Sequence, residues 1–166
     1  MDTGFKNYRF DAVYLDTSAE QRAAITRFWL TEQAIADPRL AEQRAHEVVL
    51  MVFRADTNEL VGVSSVGLSR NQQQRLYYTY RMFIRAADRV PYLMWSVVTA
   101  TREFLEGYTH PSGAIAGLIH INENPKLMKP GIRRFFLRHG YHYGGKNQRG
   151  QDRWLIHFNS PGENTP

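Results

Sequence analysis

Residues 47–54, EVVLMVFR, constrain the fold most, because the segment is apolar on both faces of an extended chain. A strand of this kind is stable only when other elements cover both of its faces. Turn residues follow at 55–58, and the apolar segment 60–66 then returns along the chain, which predicts a β-hairpin. The sequence therefore needs helices that enclose a sheet.

The remaining segments alternate between helical and extended patterns. A strand is predicted at residues 8–14. The pattern Thr17–x–x–Glu20 predicts a capping box at the start of a helix, and Asp37 followed by Pro38 predicts the start of a second one. Later periodicities predict helices at 91–106 and 126–139 and strands at 75–84, 114–121, 141–143 and 154–158. We expect Asp88 to cap the helix at 91–106 and residues 144–150 to form a flexible basic loop that connects the last two strands.

This order, β-α-α-β-β-β-α-β-α-β-β, predicts a mixed α/β (α+β) fold with about six to seven strands and about four helices. We expect one domain over residues 1–160 and a disordered tail at 161–166. A chain of 166 residues can bury a core without disulfides or a structural metal. The absence of cysteine excludes thiolate nucleophiles and iron–sulfur clusters. With no secretory signal or membrane-spanning run visible, a cytoplasmic location is expected.

Positive charge is concentrated in the second part of the chain. The 21 basic and 16 acidic residues give 21 − 16 = +5. Residues 1–70 hold 8 basic and 10 acidic residues, whereas residues 71–166 hold 13 and 6, which is a balance of +7. Such a basic half suggests an anionic partner, for example a phosphorylated cofactor, a nucleic acid or an acidic protein. A solvated basic surface is the alternative.

One segment carries a more specific pattern. Asn122 follows the strand at 114–121, a helix comes next, and the segment closes with the aromatic–x–x–x–Gly–aromatic run from Phe136 to Gly140 and Tyr141. Together with the element order, this pattern resembles the GNAT N-acyltransferase superfamily. The resemblance implies a GNAT-like fold in which the strands at 75–84 and 114–121 splay apart around the pantetheine arm of acetyl-CoA or another acyl-CoA.

The same resemblance implies a pyrophosphate site on the backbone amides that open the helix near Pro91. The phosphate loop of the family, Arg/Gln-x-x-Gly-x-Gly/Ala, falls on residues 89–94, where Tyr92 and Met94 occupy the small positions. Many members use a tyrosine of the last helix to protonate the leaving thiolate. The corresponding residue is Phe136, which has no hydroxyl.

Candidate site residues follow from these placements. An amine must lose a proton to attack, so His120 or Glu123 at the end of the strand is a candidate general base. The candidate catalytic residues are His120, Glu123 and Tyr80. The candidate cofactor-binding residues, which combine cations with groups near the helix start, are Arg85, Arg89, Tyr92, Asn122 and Arg133. No metal site is expected, because Gly140 separates His139 from His142 and a third ligand is missing.

The sequence therefore predicts an acyl-CoA-dependent N-acyltransferase whose partners are an acyl-CoA and an amine. Two alternatives remain open at this point. One is a CoA-independent GNAT-fold protein that binds or modifies nucleic acid or uses an aminoacyl-tRNA-like donor. The other is a non-catalytic interaction module.

Overall fold

A computed structural model describes residues 4–158 of the chain. Within these residues it contains four α-helices, which are α1 (Ala19–Thr31), α2 (Pro38–Ala45), α3 (Leu93–Glu106) and α4 (Pro130–Arg138). Its eight strands are β1 (Gly4–Phe5), β2 (Tyr8–Ala12), β3 (Val48–Arg54), β4 (Leu60–Arg70), β5 (Leu76–Ile84), β6 (Ile115–Ile121), β7 (His142–Lys146) and β8 (Asp152–His157). Short 3-10 turns occupy Ala86–Asp88 and Pro125–Met128.

The strands form a mixed sheet in the order β1-β2-β3-β4-β5-β6-β8-β7. β5 and β6 run parallel, while β6 and β8 run antiparallel. The predicted mixed fold and the predicted order of elements are confirmed. The strand count is higher than the predicted six to seven because the two-residue strand β1 pairs with β2. The predicted tail at 161–166 lies outside the described residues.

The chain divides into two compact units. Unit 1 takes the chain up to Val66 together with Arg81–Leu105. Its hydrophobic cluster joins α1 and α2 to β3 and comprises Val13, Ile25, Phe28, Trp29, Ala41, Ala45, Val48, Met51 and Val63. β3 is buried on both faces from Val48 to Val52, as its apolar sequence predicts. The periodic stripe of α1 is therefore the face that covers this strand.

Unit 2 takes Gly67–Tyr80 together with the chain after Leu105. Here β6 lies between β5 and β8, and its register pairs His120 with Tyr80 on one side and with Trp154 on the other. Gly117 lies where a Cβ atom would come within 2.1 Å of the carbonyl oxygen of Ile156. Only glycine allows this close approach of β6 and β8.

Two helix boundaries differ from the prediction. The capping box of α1 is formed by Ser18 and Gln21 rather than by Thr17 and Glu20. Both readings satisfy the same pattern, and the register one residue later is the one that the helix adopts. The helix predicted at 126–139 is interrupted, because Pro130 opens α4 and the preceding residues form a 3-10 turn. Asp37 and Pro38 open α2 as predicted.

Two further predictions, a helix cap and a loop, differ from the structure. Asp88 does not cap α3, which begins five residues later at Leu93; its buried side chain instead bonds to Tyr8. The loop predicted at 144–150 begins later, at 147, because residues 144–146 belong to β7. Gly145 has a φ of 78°, in the left-handed region, and this fits the irregular register between Tyr143 and Lys146.

The capping box gives a direct test of the helix start. Replacing Ser18 with Ala removes the acceptor for the Gln21 amide, so we expect S18A to lower the free energy of unfolding by about 1 kcal/mol. Urea unfolding measures this change. T17A is the matched control, with an expected change within about 0.5 kcal/mol. If T17A lowered the free energy of unfolding as much as S18A or more, Thr17 rather than Ser18 would be the capping residue.

Candidate functional site

A cluster of aromatic rings surrounds His120 in unit 2. The His120 side chain is 6% exposed, and its Nε2 lies 3.2 Å from the hydroxyl oxygen of Tyr141. The ring of Tyr80 lies 4.5 Å from the His120 ring, while those of Tyr141 and Phe136 lie at 5.0 and 5.7 Å. Two of the predicted catalytic residues, His120 and Tyr80, are thus in contact. Tyr141 was not among the predicted residues.

The end of α4 places Tyr141 beside His120. The Gly140 amide donates to the Leu137 carbonyl, and the Tyr141 amide donates to the Phe136 carbonyl at 3.1 Å. Gly140 has a φ of 85°, so this is a Schellman cap, in which the residues at either end also make an apolar contact. The rings of Phe136 and Tyr141 make this contact at 5.2 Å. The spacing that suggested a family resemblance is therefore the spacing of a helix cap.

The residues after β6 have different environments. Asn122 is buried, and its backbone amide donates to the backbone carbonyl of Asp152 at 2.9 Å. Glu123 is exposed. Phe136, in the helix that follows, stacks on Trp154 at 5.0 Å with an interplanar angle of 8°. Of the two candidate bases, only His120 lies in the aromatic cluster.

A buried carboxylate holds one of the predicted cofactor-binding residues. Asp152 contacts the guanidinium of Arg133 at 3.1 Å, the ammonium of Lys146 at 3.4 Å and the hydroxyl of Tyr143 at 2.8 Å. Burial raises the pKa of Asp152, but the hydrogen bonds from Tyr143 and Arg133 and the nearby positive charges outweigh burial and leave the pKa lowered. Arg133 therefore stabilises the charged form of a buried group.

In unit 1, the turn before α3 has an unusual backbone. Tyr92 has a φ of 67°, in the left-handed region, and the residue is 73% exposed. The amide of Ser96 is bonded to the Tyr92 carbonyl, so Tyr92 is the residue that precedes the first turn of α3. Left-handed φ values favour glycine. The tyrosine thus adopts a glycine-like conformation and directs its ring away from the backbone into solvent.

The two arginines near this turn are placed differently. Arg89 is exposed; its Nε donates to the Ile84 carbonyl at 2.8 Å, and its guanidinium lies 5.6 Å from the centre of the Phe83 ring. Arg85 is bonded to two carboxylates, Asp88 and Glu59. These bonds raise the pKa of Arg85, with Glu59 contributing most.

Asp88 connects this turn to the sheet. Its carboxylate is almost fully buried and accepts from Arg85 and from the Tyr8 hydroxyl, the latter at 2.9 Å, while Arg54 lies at 3.4 Å. Burial raises the pKa of Asp88, but the bonds from Arg85 and Tyr8 and the arginine charges outweigh burial, so the pKa is lowered. Sequence pattern did not reveal this group, because Tyr8 and Asp88 are 80 residues apart.

The predicted residues therefore fall into two sets. Unit 2 holds His120, Tyr80, Asn122, Glu123 and Arg133, of which the first two are in ring contact. Unit 1 holds Arg85, Arg89 and Tyr92 around the turn before α3. Among the described residues no group of three or more His, Asp or Glu side chains is arranged to hold a metal ion.

Comparison by sequence finds no matching family model and no matching curated protein. Comparison by structure finds a phosphinothricin acetyltransferase of the GNAT superfamily from Sinorhizobium meliloti, solved in complex with AcCoA. It has 9% sequence identity and a TM-score of 0.66, and the match covers 97% of this chain and 94% of that one. The chain has the GNAT fold.

Other solved structures support this assignment. A GNAT-family acetyltransferase from Streptococcus pneumoniae has 10% identity and a TM-score of 0.62, over 92% of this chain and 99% of that one. A chain of the NatC complex bound to Gag peptide and CoA has 8% identity and a TM-score of 0.62, over 93% and 100%. The GNAT fold of this chain is therefore matched over nearly its whole length. No helix within residues 4–158 is long and apolar enough to cross a membrane.

Asp88 gives a test that combines stability with pH. D88N removes the charge that Arg85 and Arg54 face, so we expect the free energy of unfolding at pH 7 to fall by about 2 kcal/mol. The folded pKa of Asp88 lies below the ordinary value of 3.8, so its contribution is complete above that value and is lost as pH falls through the folded pKa. The difference between wild type and D88N should therefore be smaller at pH 3.

Urea unfolding at pH 7 and pH 3 measures both quantities. D56N is the matched control, because Asp56 is exposed and lies 4.0 Å from the same Arg54. We expect D56N to change stability by less than about 0.5 kcal/mol. Equal losses in D88N at the two pH values would contradict a charged Asp88 as the source of the effect.

Proposed function

We propose that this chain is an acyl-CoA-dependent N-acyltransferase. The observation that carries the proposal is the left-handed backbone of Tyr92 at the start of α3. In the resemblance, position 92 corresponds to the first glycine of the phosphate loop, and Tyr92 has the left-handed φ that favours glycine. A backbone of this shape costs free energy. Five other described non-glycine residues share it, and Tyr92 is the one of the six that directly precedes an α-helix.

The donor would bind through its phosphates at the turn before α3. The first amides of an α-helix have no partner within the helix, and the helix dipole favours an anion there. The Tyr92 ring is exposed, and the Leu93 amide already donates to the Val90 carbonyl, so the donor would meet the amides of α3 that follow Leu93. The exposed Arg89 adds positive charge three residues before Tyr92. Phosphate binding here would depend on the backbone conformation that glycine favours, and not on the absence of a side chain.

The remaining cations have a second role in this proposal. Arg85 is bonded to Asp88, and Arg133 to Asp152, so each already has a carboxylate partner. We infer that Arg85 acts on the donor through the turn that it holds, and that Arg133 holds the segment around Asp152 in place within unit 2. The backbone amide of Asn122 is bonded to the same Asp152, so Asn122 would help Arg133 to hold this segment.

His120 would take the proton that the amine must lose. Acyl-CoA supplies an activated thioester whose carbon–sulfur bond breaks as the carbon–nitrogen bond forms, with the electron pair leaving on sulfur. His120 accepts the proton from the amine nitrogen and can return it to the sulfur. The reaction then balances although Phe136, at the position of the family's proton-donating tyrosine, has no hydroxyl. The Tyr80 ring, 4.5 Å from His120, restricts the orientation of the imidazole. Glu123 is the exposed alternative base.

Turnover is the first test. Purified protein is mixed with acetyl-CoA or longer acyl-CoAs and a panel of small amines and peptides, and the released thiol is measured. The panel includes both acceptor types because one structural neighbour is a phosphinothricin acetyltransferase and another is bound to a peptide. We expect acyl-CoA to raise the melting temperature and at least one amine to release CoA. No shift with any acyl-CoA at millimolar concentration would overturn the proposal.

Tyr92 gives a prediction about the donor site. Glycine adopts a positive φ without strain, so Y92G should bind CoA as tightly as wild type or up to about fivefold more tightly. Proline fixes φ near −65°, so Y92P should weaken binding by at least about tenfold. Isothermal titration with CoA measures both. Y92N, which tolerates the left-handed region, is the control for loss of the ring and should resemble Y92G.

The two candidate bases give the next prediction. H120Q should lower kcat by about a hundredfold, because it removes the proton acceptor in the aromatic cluster, whereas E123Q should change kcat by less than about threefold. Steady-state kinetics with the best acyl-CoA and amine separate the two variants. A large loss in E123Q with little change in H120Q would assign the base to Glu123.

A further inference from the structure

We propose that a basic surface of unit 2 binds the phosphate backbone of a nucleic-acid duplex. The basic surface consists of the exposed cations on and before α4, which are Lys126, Lys129, Arg134 and Arg138. This binding is separate from the proposed acyl transfer and goes beyond it.

The segment that carries the basic surface exposes positive charge alone. Residues 124–158 contain eight basic residues and one acidic residue, Asp152, so they account for the whole +7 balance of residues 71–166. Asp152 is fully buried and paired with Arg133 and Lys146. Within residues 124–158, therefore, no carboxylate side chain lies at the surface to repel a phosphate.

The cations of the basic surface are not held by other side chains. Among residues 4–158, no ion pair or side-chain hydrogen bond joins any of the four to another residue. Arg134 and Arg138 are four residues apart on α4, so they lie on the same face of the helix, about 6 Å apart along its axis. The exposed Leu137 lies on the same side of α4, and the buried Phe136 packs against Trp154. The two guanidinium groups are therefore available to an anion from solvent.

The buried carboxylate gives the basic surface a fixed base. Arg133 on α4 and Lys146 on β7 both contact Asp152 on β8, at 3.1 and 3.4 Å. This contact ties the helix to both strands of the hairpin. Cations that already stand on a folded scaffold lose less conformational entropy when they bind than cations on an unstructured tail.

The chemistry of the segment favours a nucleic acid over an acidic protein. Protein–protein interfaces depend on a few buried aromatic and apolar side chains, whereas protein–DNA interfaces are more polar and far more positively charged. The large apolar side chains exposed in residues 124–158 are Leu137 and Tyr143. Tyr143 is already engaged, because its hydroxyl donates to Asp152 and the guanidinium of Arg133 lies 5.3 Å from its ring centre. An anion held by charge therefore fits this surface best.

The same aromatic residue favours a duplex over a single strand. Proteins that bind single strands stack the bases on exposed aromatic rings. Here the Tyr143 ring packs against Trp154 at 5.2 Å as well as against Arg133, so it offers little face to a base. A duplex keeps its bases stacked inside and presents about one negative charge per 1.7 Å of its axis. The basic surface needs only these phosphates.

Binding to labelled duplexes is the first measurement. The full chain, without acyl-CoA, is titrated by fluorescence anisotropy into a DNA duplex or an RNA duplex of about 20 base pairs. If three phosphates are neutralised, the affinity should fall about fortyfold between about 50 and 200 mM NaCl, with a logarithmic slope of about −2.7. No binding of either duplex at the lower salt, with protein at about 100 μM, would overturn the proposal.

Removing the two arginines of α4 tests the surface itself. R134Q/R138Q should weaken duplex binding at least about tenfold at low salt and reduce the magnitude of the slope by about 1.8. R134K/R138K keeps both charges and should bind within about threefold of wild type, since lysine also binds phosphate as a point charge. Binding by R134Q/R138Q that equals wild type would overturn the proposal.

Two controls separate this surface from net charge. R27Q/R39Q also removes two exposed arginines, but from α1 and α2 in unit 1. R153Q removes an arginine of the same segment from the other side of the sheet, because the next residue, Trp154, faces α4. Each control should bind within about twofold of wild type. If R27Q/R39Q weakened binding as much as R134Q/R138Q, the interaction would follow net charge and the proposal would fail.

The remaining outcomes concern the partner and the fold. Tighter binding of a polyglutamate peptide, or of a single strand, than of either duplex would overturn the choice of partner. The replaced side chains are exposed, so each variant should melt within about 2 °C of wild type. If R134Q/R138Q does not fold, K126Q/K129Q removes two charges from the same surface and should weaken binding equally.

The result is independent of the proposed function, because binding is measured without acyl-CoA. A wild-type chain that binds the duplex but releases no CoA with any amine would refute acyl transfer alone. A chain that turns over acyl-CoA but binds no duplex would refute this proposal alone.

Discussion

A buried carboxylate is stable only when positive charges and hydrogen-bond donors surround it, and this chain buries two aspartates. An unpaired buried charge would cost more free energy than a domain of this size can offset. Asp88 in unit 1 and Asp152 in unit 2 are each met by arginine and by a tyrosine hydroxyl. Around Asp88 this requirement fixes the turn that leads to α3, and around Asp152 it fixes β7 and β8.

The same pairing changes how the charge of the sequence is interpreted. Residues 71–166 carry 13 basic residues, but Arg85, Arg133 and Lys146 contact buried aspartates. Their charge is balanced inside the molecule and is not available in full to a partner. Among the described residues, Arg89 stays exposed beside the turn before α3 in unit 1. In unit 2 the exposed basic residues on and before α4 are Lys126, Lys129, Arg134 and Arg138.

The sequence predicts local features well and distant ones poorly. Hydrophobic periodicity predicted the order of elements, the buried stripe of α1 and the fully buried β3, because each depends on neighbours within a few residues. The run from Phe136 to Tyr141 was identified for the same reason. The role of Asp88 was mispredicted as a helix cap, since its true partners include Tyr8, far away in the chain. The left-handed backbone of Tyr92 was also missed, because tyrosine is rare in that region.

The helix cap at Gly140 has a consequence for the order in which the proposed site is assembled. Phe136 and Tyr141 are five residues apart, so their contact closes a very short loop and forms with α4 itself. The Tyr8–Asp88 bond joins residues that are 80 apart in the chain, so we expect it to form later. The phenol that faces His120 is therefore oriented by contacts that form early, whereas the turn proposed to receive the donor takes its final shape only when distant segments of the chain have met.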